Sequence, residues 1–66
     1  MQLIINGRPQ TVQENLSLSE LIAQLNMKAE RVAVERNGVI VPRNDWARTP
    51  LQSGDRLEIV HFVGGG

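Results

Sequence analysis

Sixty-six residues without a cysteine make one domain near the lower size limit for a chain that depends on packing alone, and they exclude disulfides, thiolate nucleophiles and thiolate metal sites. Seven basic and seven acidic residues cancel, and no Lys/Arg stripe forms, so neither nucleic acid nor a membrane surface is an expected partner. The lone histidine, His61, rules out a multi-histidine metal site, and short apolar runs give no membrane span or signal peptide; a cytoplasmic protein, monomeric when alone, fits this composition.

Leu3-Ile4-Ile5 followed by Asn6-Gly7 reads as a strand entering a hairpin, because Asn and Gly tolerate the positive φ of a type I′ turn. The return strand is expected at Gln10 to Gln13, with Pro9 placing it at a sheet edge. Ser17-Leu18-Ser19-Glu20 has the form of a capping box, with Leu16 and Leu21 at the staple positions. Leu18, Leu21, Ile22 and Leu25 recur at helical spacing and predict one buried stripe; Asn26 and Lys28 suit its end.

A second Asn-Gly hairpin, at Asn37-Gly38, joins a strand over Arg31 to Arg36 to Val39-Ile40-Val41. The two-residue turn puts Val34 opposite Val41, so Val32, Val34 and Val41 are the expected core residues here. Pro42 ends that strand, and Arg43 to Thr49 is a connector carrying the only tryptophan, Trp46. After the Ser53-Gly54-Asp55 turn, the last strand, Arg56 to Val63, is apolar on both parities, as in a central strand or one whose outer face meets a partner. One helix then covers one face of a mixed sheet and leaves the other face uncovered.

Three glycines in succession, Gly64-Gly65-Gly66, bury no side chain and lose the most entropy on ordering. They are read as a flexible tail that extends a carboxylate about 10 Å beyond Val63, with the folded domain spanning residues 1–63. A domain this small has little room for a deep pocket, and a narrow channel in another protein would admit glycines where it rejects other residues. A carboxylate needs activation, most simply by ATP to an acyl-adenylate, before a sulfur nucleophile can attack. Without cysteine, any sulfur carried by this chain must sit on the Gly66 carbonyl carbon. The alternative is a frayed terminus or a cloning scar.

The residues Val34-Glu35-Arg36-Asn37-Gly38, Val41-Pro42-Arg43 with Trp46, Leu51 with Gly54-Asp55, and above all Glu58 to Gly66 resemble the ThiS-type sulfur carriers of thiamine biosynthesis. The resemblance covers essentially the whole chain. It implies an α+β, ubiquitin-like β-grasp fold, with a mixed sheet of about five strands and one main helix on one face. It further implies that a partner E1-like adenylyltransferase (ThiF type) consumes ATP to adenylate Gly66. A donor system such as a cysteine desulfurase supplies sulfur for the thiocarboxylate, and thiazole synthase (ThiG type) uses that sulfur. Gly64 and Gly65 thread the partner active sites. The chain itself binds no cofactor or metal and has no catalytic residue.

Val60 and Phe62 have the parity opposite to Leu57 and Ile59, so with Val63 they form the expected docking surface beside the tail. His61 shares the parity of Leu57 and Ile59 and has no paired acid, which favours a structural role over that of a base. Trp46 is expected to anchor its connector, Gly54-Asp55 to make a turn, and Glu35-Arg36 and Arg43-Asn44-Asp45 to be solvated. Three rival readings remain open. The first is a molybdopterin synthase small subunit, which usually has proline before its tail where this chain has His61-Phe62-Val63. The others are a ubiquitin-like modifier and a plain interaction domain.

Overall fold

Both Asn-Gly pairs turn the chain through positive φ, at 51° and 81° for Asn6 and Gly7 and at 53° and 86° for Asn37 and Gly38. This is the twist that a two-residue hairpin requires. The computed structural model describes residues 1–62; Val63 and the expected glycine tail at 64–66 lie outside the described residues. The strands are β1 (Gln2–Ile5), β2 (Arg8–Thr11), β3 (Val32–Arg36), β4 (Val39–Ile40) and β5 (Arg56–His61), with one helix, α1 (Leu18–Gln24), between β2 and β3. They form one five-stranded sheet in the order β2-β1-β5-β3-β4. Only β1 and β5 run parallel, so the sheet is mixed and the architecture is the expected α+β β-grasp.

The return strand begins two residues earlier than expected. The Asn6-Gly7 turn leaves no slack, so Ile5 pairs at once with Arg8 and Ile4 with Pro9. Pro9 fits because β2 is an edge strand, where a missing ladder N–H is tolerated. Strand β4 stops at Ile40, although the Val41 N–H still donates to the Val34 carbonyl at 2.9 Å. Arg43–Arg48 winds into a 3₁₀ helix and Ala29–Arg31 into a 3₁₀ turn; both are short segments of the kind that connects larger elements.

Helix α1 starts where the capping box places it: the Glu20 N–H donates to Ser17 Oγ at 3.1 Å, and the Ser17 N–H to Glu20 Oε1 at 2.8 Å. The backbone and side-chain hydrogen bonds from Ser17 hold the Glu20 carboxyl below its ordinary pKa. The helix ends in a Schellman motif, with Asn26 at φ 58° and the Asn26 and Met27 N–H groups donating to Ala23 and Ile22. Leu18, Leu21 and Ile22 are buried against Leu3, Ile5, Val32, Val34, Leu57 and Ile59 on one sheet face. Leu25 and Val41 are half-buried against that core. Trp46 closes the core edge with its indole N–H donating to the Val41 carbonyl at 2.9 Å.

Asp55 departs from its expected role as a plain turn residue. It is 6% exposed and accepts from the Gln52 N–H at 2.8 Å, Arg36 Nε at 2.9 Å and Asn37 Nδ2 at 3.1 Å. Arg36, expected to be solvated, is half-buried and paired with it. Burial alone raises a carboxyl pKa and is the largest single influence on Asp55. Together the donors from Gln52, Asn37 and Arg36 outweigh it and hold the group below the usual range.

Two outcomes follow. Leu21→Ala, at a side chain with no exposure, is expected to lose about 2–5 kcal/mol of stability in chemical denaturation. Because the folded pKa of Asp55 is depressed, its contribution is complete above the unfolded value of about 3.9 and is lost as pH falls through the folded pKa. Asp55→Asn is therefore expected to lower the melting temperature at neutral pH, with the gap to the parent protein narrowing in melts taken toward low pH.

Candidate functional site

The site is the C-terminal end of β5, the strand that leads into the glycines. Its position in the middle of the sheet gives it neighbours on both sides, β1 in parallel and β3 in antiparallel register. The parallel ladder to β1 spans only Ile4↔Arg56 and Ile5↔Leu57, and the side chain of Asn6 extends it. Asn6 Oδ1 accepts from the Ile59 N–H at 2.7 Å and Asn6 Nδ2 donates to the Ile59 carbonyl at 3.2 Å. Asn37 acts from the other side: its Oδ1 accepts from the Arg56 N–H at 2.9 Å while its own N–H donates to the Arg56 carbonyl at 2.7 Å. Each turn asparagine thus satisfies central-strand groups that its own strand is too short to reach.

On the antiparallel side, β3 follows β5 to its last residue, with Val32 opposite His61. One residue further, the Phe62 N–H donates to the Arg31 carbonyl at 2.7 Å. The strand backbone is held up to this point.

Alternation along β5 separates two faces. Leu57 and Ile59 are buried under the helix, while Arg56, Glu58 and Val60 stand on the uncovered face. Val60 is 57% exposed and Phe62 50%. Ile40 of β4 is also exposed, opposite Glu35 on that face. Apolar groups this exposed next to one another are a feature of contact surfaces. Val63, Gly64, Gly65 and Gly66, the other residues singled out in the sequence, lie outside the described residues.

His61 corrects the sequence expectation. It has the core parity, but at the last position of the strand it is exposed and makes no side-chain hydrogen bond among the described residues; parity describes a face and not how far the covering layer extends along it. The asparagine clamps were missed as well. Asn-Gly announces a turn, and nothing in the dipeptide indicates that the same side chains bind a distant strand. Among the described residues no helix is long and apolar enough to cross a membrane.

Known proteins resemble this chain over its full length. The model of the ThiS family matches residues 3–66. A protein named thiazole synthase from Paramagnetospirillum magneticum is 41% identical over all 66 residues, but the chain spans only 20% of that protein's length. A second thiazole synthase, from Magnetococcus marinus, is 39% identical with the same 20% coverage. The sulfur carrier protein ThiS of Escherichia coli is 30% identical, with both chains covered completely. The crystal structure of a thiamine biosynthesis protein (ThiS) from Geobacter metallireducens superimposes over the whole of both chains with a TM-score of 0.86 at 40% identity. With a β-grasp sheet, one covering helix and a central strand leading toward the glycines among its described residues, the chain belongs to the ThiS family.

Proposed function

We propose that this protein is a sulfur carrier for formation of the thiamine thiazole ring, acted on by partner enzymes and performing no catalysis of its own. The observation that carries the reading is the full-length similarity to a sulfur carrier protein together with the exit of β5. Backbone pairing reaches Phe62, and the glycines follow immediately in the sequence.

The chemistry follows from the carboxylate. An E1-like adenylyltransferase lets a Gly66 carboxylate oxygen attack the α-phosphorus of ATP, with pyrophosphate leaving. The terminal sulfur of a donor persulfide, such as that of a cysteine desulfurase, then attacks the acyl carbon and displaces AMP, and a second thiol on the partner side attacks the donor sulfur of the resulting acyl disulfide, releasing the thiocarboxylate and leaving a disulfide. Gly64 and Gly65, lacking Cβ atoms, pass through narrow partner channels. Thiazole synthase is the acceptor, a choice supported by the relatives of that name that contain a segment similar to this chain within a longer protein. On this reading the carrier works in the cytoplasm and its partner consumes the ATP.

Docking is assigned to Val60, Phe62 and Val63. Two of these are exposed apolar side chains on the uncovered face, where an aromatic anchor beside the tail would align it with a partner channel.

Incubation with the adenylyltransferase, ATP and a sulfur source is expected to exchange one Gly66 carboxylate oxygen for sulfur, located by intact-mass and fragment spectra. Sulfur elsewhere on the chain, or lysine adducts through Gly66 in cell extract, would favour another reading. Deleting Gly66 is expected to abolish adenylation with little change in melting temperature.

Phe62→Asp is expected to weaken binding to the adenylyltransferase or thiazole synthase by about 2 kcal/mol or more, measured by titration calorimetry. Its effect on stability should remain within about 0.5 kcal/mol. Unfolding of this variant would return Phe62 to the core and move the docking surface elsewhere.

A further inference from the structure

Six of the seven basic residues are arginines, and Lys28 is the only lysine. The difference is chemical, because a lysine amine can shed its proton and attack an acyl carbon whereas a guanidinium stays protonated. Lys28 is exposed and enters no ion pair among the described residues. The fold puts this amine beside the end of β5. Strands β3 and β5 run antiparallel, so the residues that precede β3 lie past the last pair of β5, in the direction in which that strand points. The Arg31 carbonyl accepts from the Phe62 N–H at 2.7 Å, and the Arg31 N–H donates to the Lys28 carbonyl at 2.9 Å. A hydrogen-bonded turn brings its ends within about 7 Å and a strand pair lies about 5.5 Å across, so the Cα atoms of Lys28 and Phe62 are at most about 13 Å apart.

Those dimensions match the end of the chain. Covalent geometry lets the glycines extend their carboxylate about 10 Å beyond Val63, and four methylenes carry the Lys28 amine out from its own backbone. No other amine among the described residues meets this condition. The Met1 ammonium donates to the Val12 carbonyl at 2.6 Å and pairs with Glu14 at 2.8 Å. It also stands at the opposite end of the sheet, because β1 runs parallel to β5 with Ile4 paired to Arg56. From Arg56 to Phe62 the strand covers about 20 Å, farther than the residues after Phe62 can retrace.

We propose that Lys28 is an internal acceptor for the activated Gly66 carbonyl, closing the chain on itself through an isopeptide bond when no sulfur donor is present. This rests on the carrier reading and adds to it the fate of an adenylate that meets no persulfide. Deprotonated Lys28 Nζ attacks the acyl carbon, a C–N bond forms, and the bond from that carbon to the AMP oxygen breaks. AMP leaves with the electron pair, and the remaining amine proton passes to water. Tethered groups meet at an effective concentration on the order of millimolar, so the internal amine prevails where donors are scarcer than that. A closed chain has no carboxylate left to load, and the product is a carrier withdrawn from use.

The test incubates the full chain, and beside it Lys28→Arg, with the cognate adenylyltransferase and ATP but no sulfur source. Intact mass, fragment spectra and ATP–pyrophosphate exchange are followed. The parent is expected to lose the mass of one water, with fragments that join Gly66 to Lys28, and Lys28→Arg to lose none although both proteins support exchange. A persulfide donor added at the start should replace the closed product by thiocarboxylate. Exchange without water loss from the parent would overturn Lys28 as acceptor and leave the carrier reading standing. Water loss that persists in Lys28→Arg, or a doubled mass from joining to a second copy, would overturn internal closure at this residue. A parent that supports no exchange would overturn the carrier reading and the internal acceptor together.

Discussion

The structure depends on keeping one strand saturated on both edges. Strand β5 is last in the sequence but central in the sheet, so its main-chain groups must be satisfied by elements formed far earlier in the chain. Its two neighbours are too short or too offset to do this alone, and the side chains of Asn6 and Asn37 supply the missing partners. Asp55 then ties Asn37 and Arg36 to the turn from which β5 begins. A residue pattern used elsewhere only to reverse the chain here also locks the strand that leads toward the glycines.

The covering layer determines what is left for a partner. Helix α1 has seven residues and buries one stripe, so it can cover one face and part of the length of the sheet. The 3₁₀ helix with Trp46 closes the remaining edge of the same core. Nothing equivalent among the described residues covers the opposite face, where Val60, Phe62 and Ile40 stay exposed. Exposure of these side chains is thus a direct consequence of having one helix among the described residues.

Local signals were the legible part of the sequence. Both hairpins, the capping box, the helical stripe and the Val32 and Val34 core followed from rules that act within a few residues. Continuous apolar character gave β5 as a central strand or one whose outer face meets a partner, the sheet order makes it central, and alternation gave its two faces. What was not legible acts across the chain. Asp55 in a Gly-Asp turn gives no sign that a carboxylate will be buried among donors from residues 36, 37 and 52. His61 has the correct parity for the core, yet the layer above does not extend to it. The family was legible through the glycine end and the run before it, which periodicity alone would not have supplied.

The hydrogen bond from the Phe62 N–H to the Arg31 carbonyl also fixes a length. Gly66 stands four positions beyond Phe62, and extended backbone advances at most about 3.6 Å per residue. That covalent limit is a ruler of about 14 Å, measured from a point held by backbone pairing at the end of the central strand. On the carrier reading proposed above, an enzyme acting at Gly66 would keep its reacting atom within this distance of its contact with Phe62. Enzymes of unrelated architecture that serve the same carrier would share this spacing even where they share no residue, and shortening the glycine run would draw the end away from all of them together.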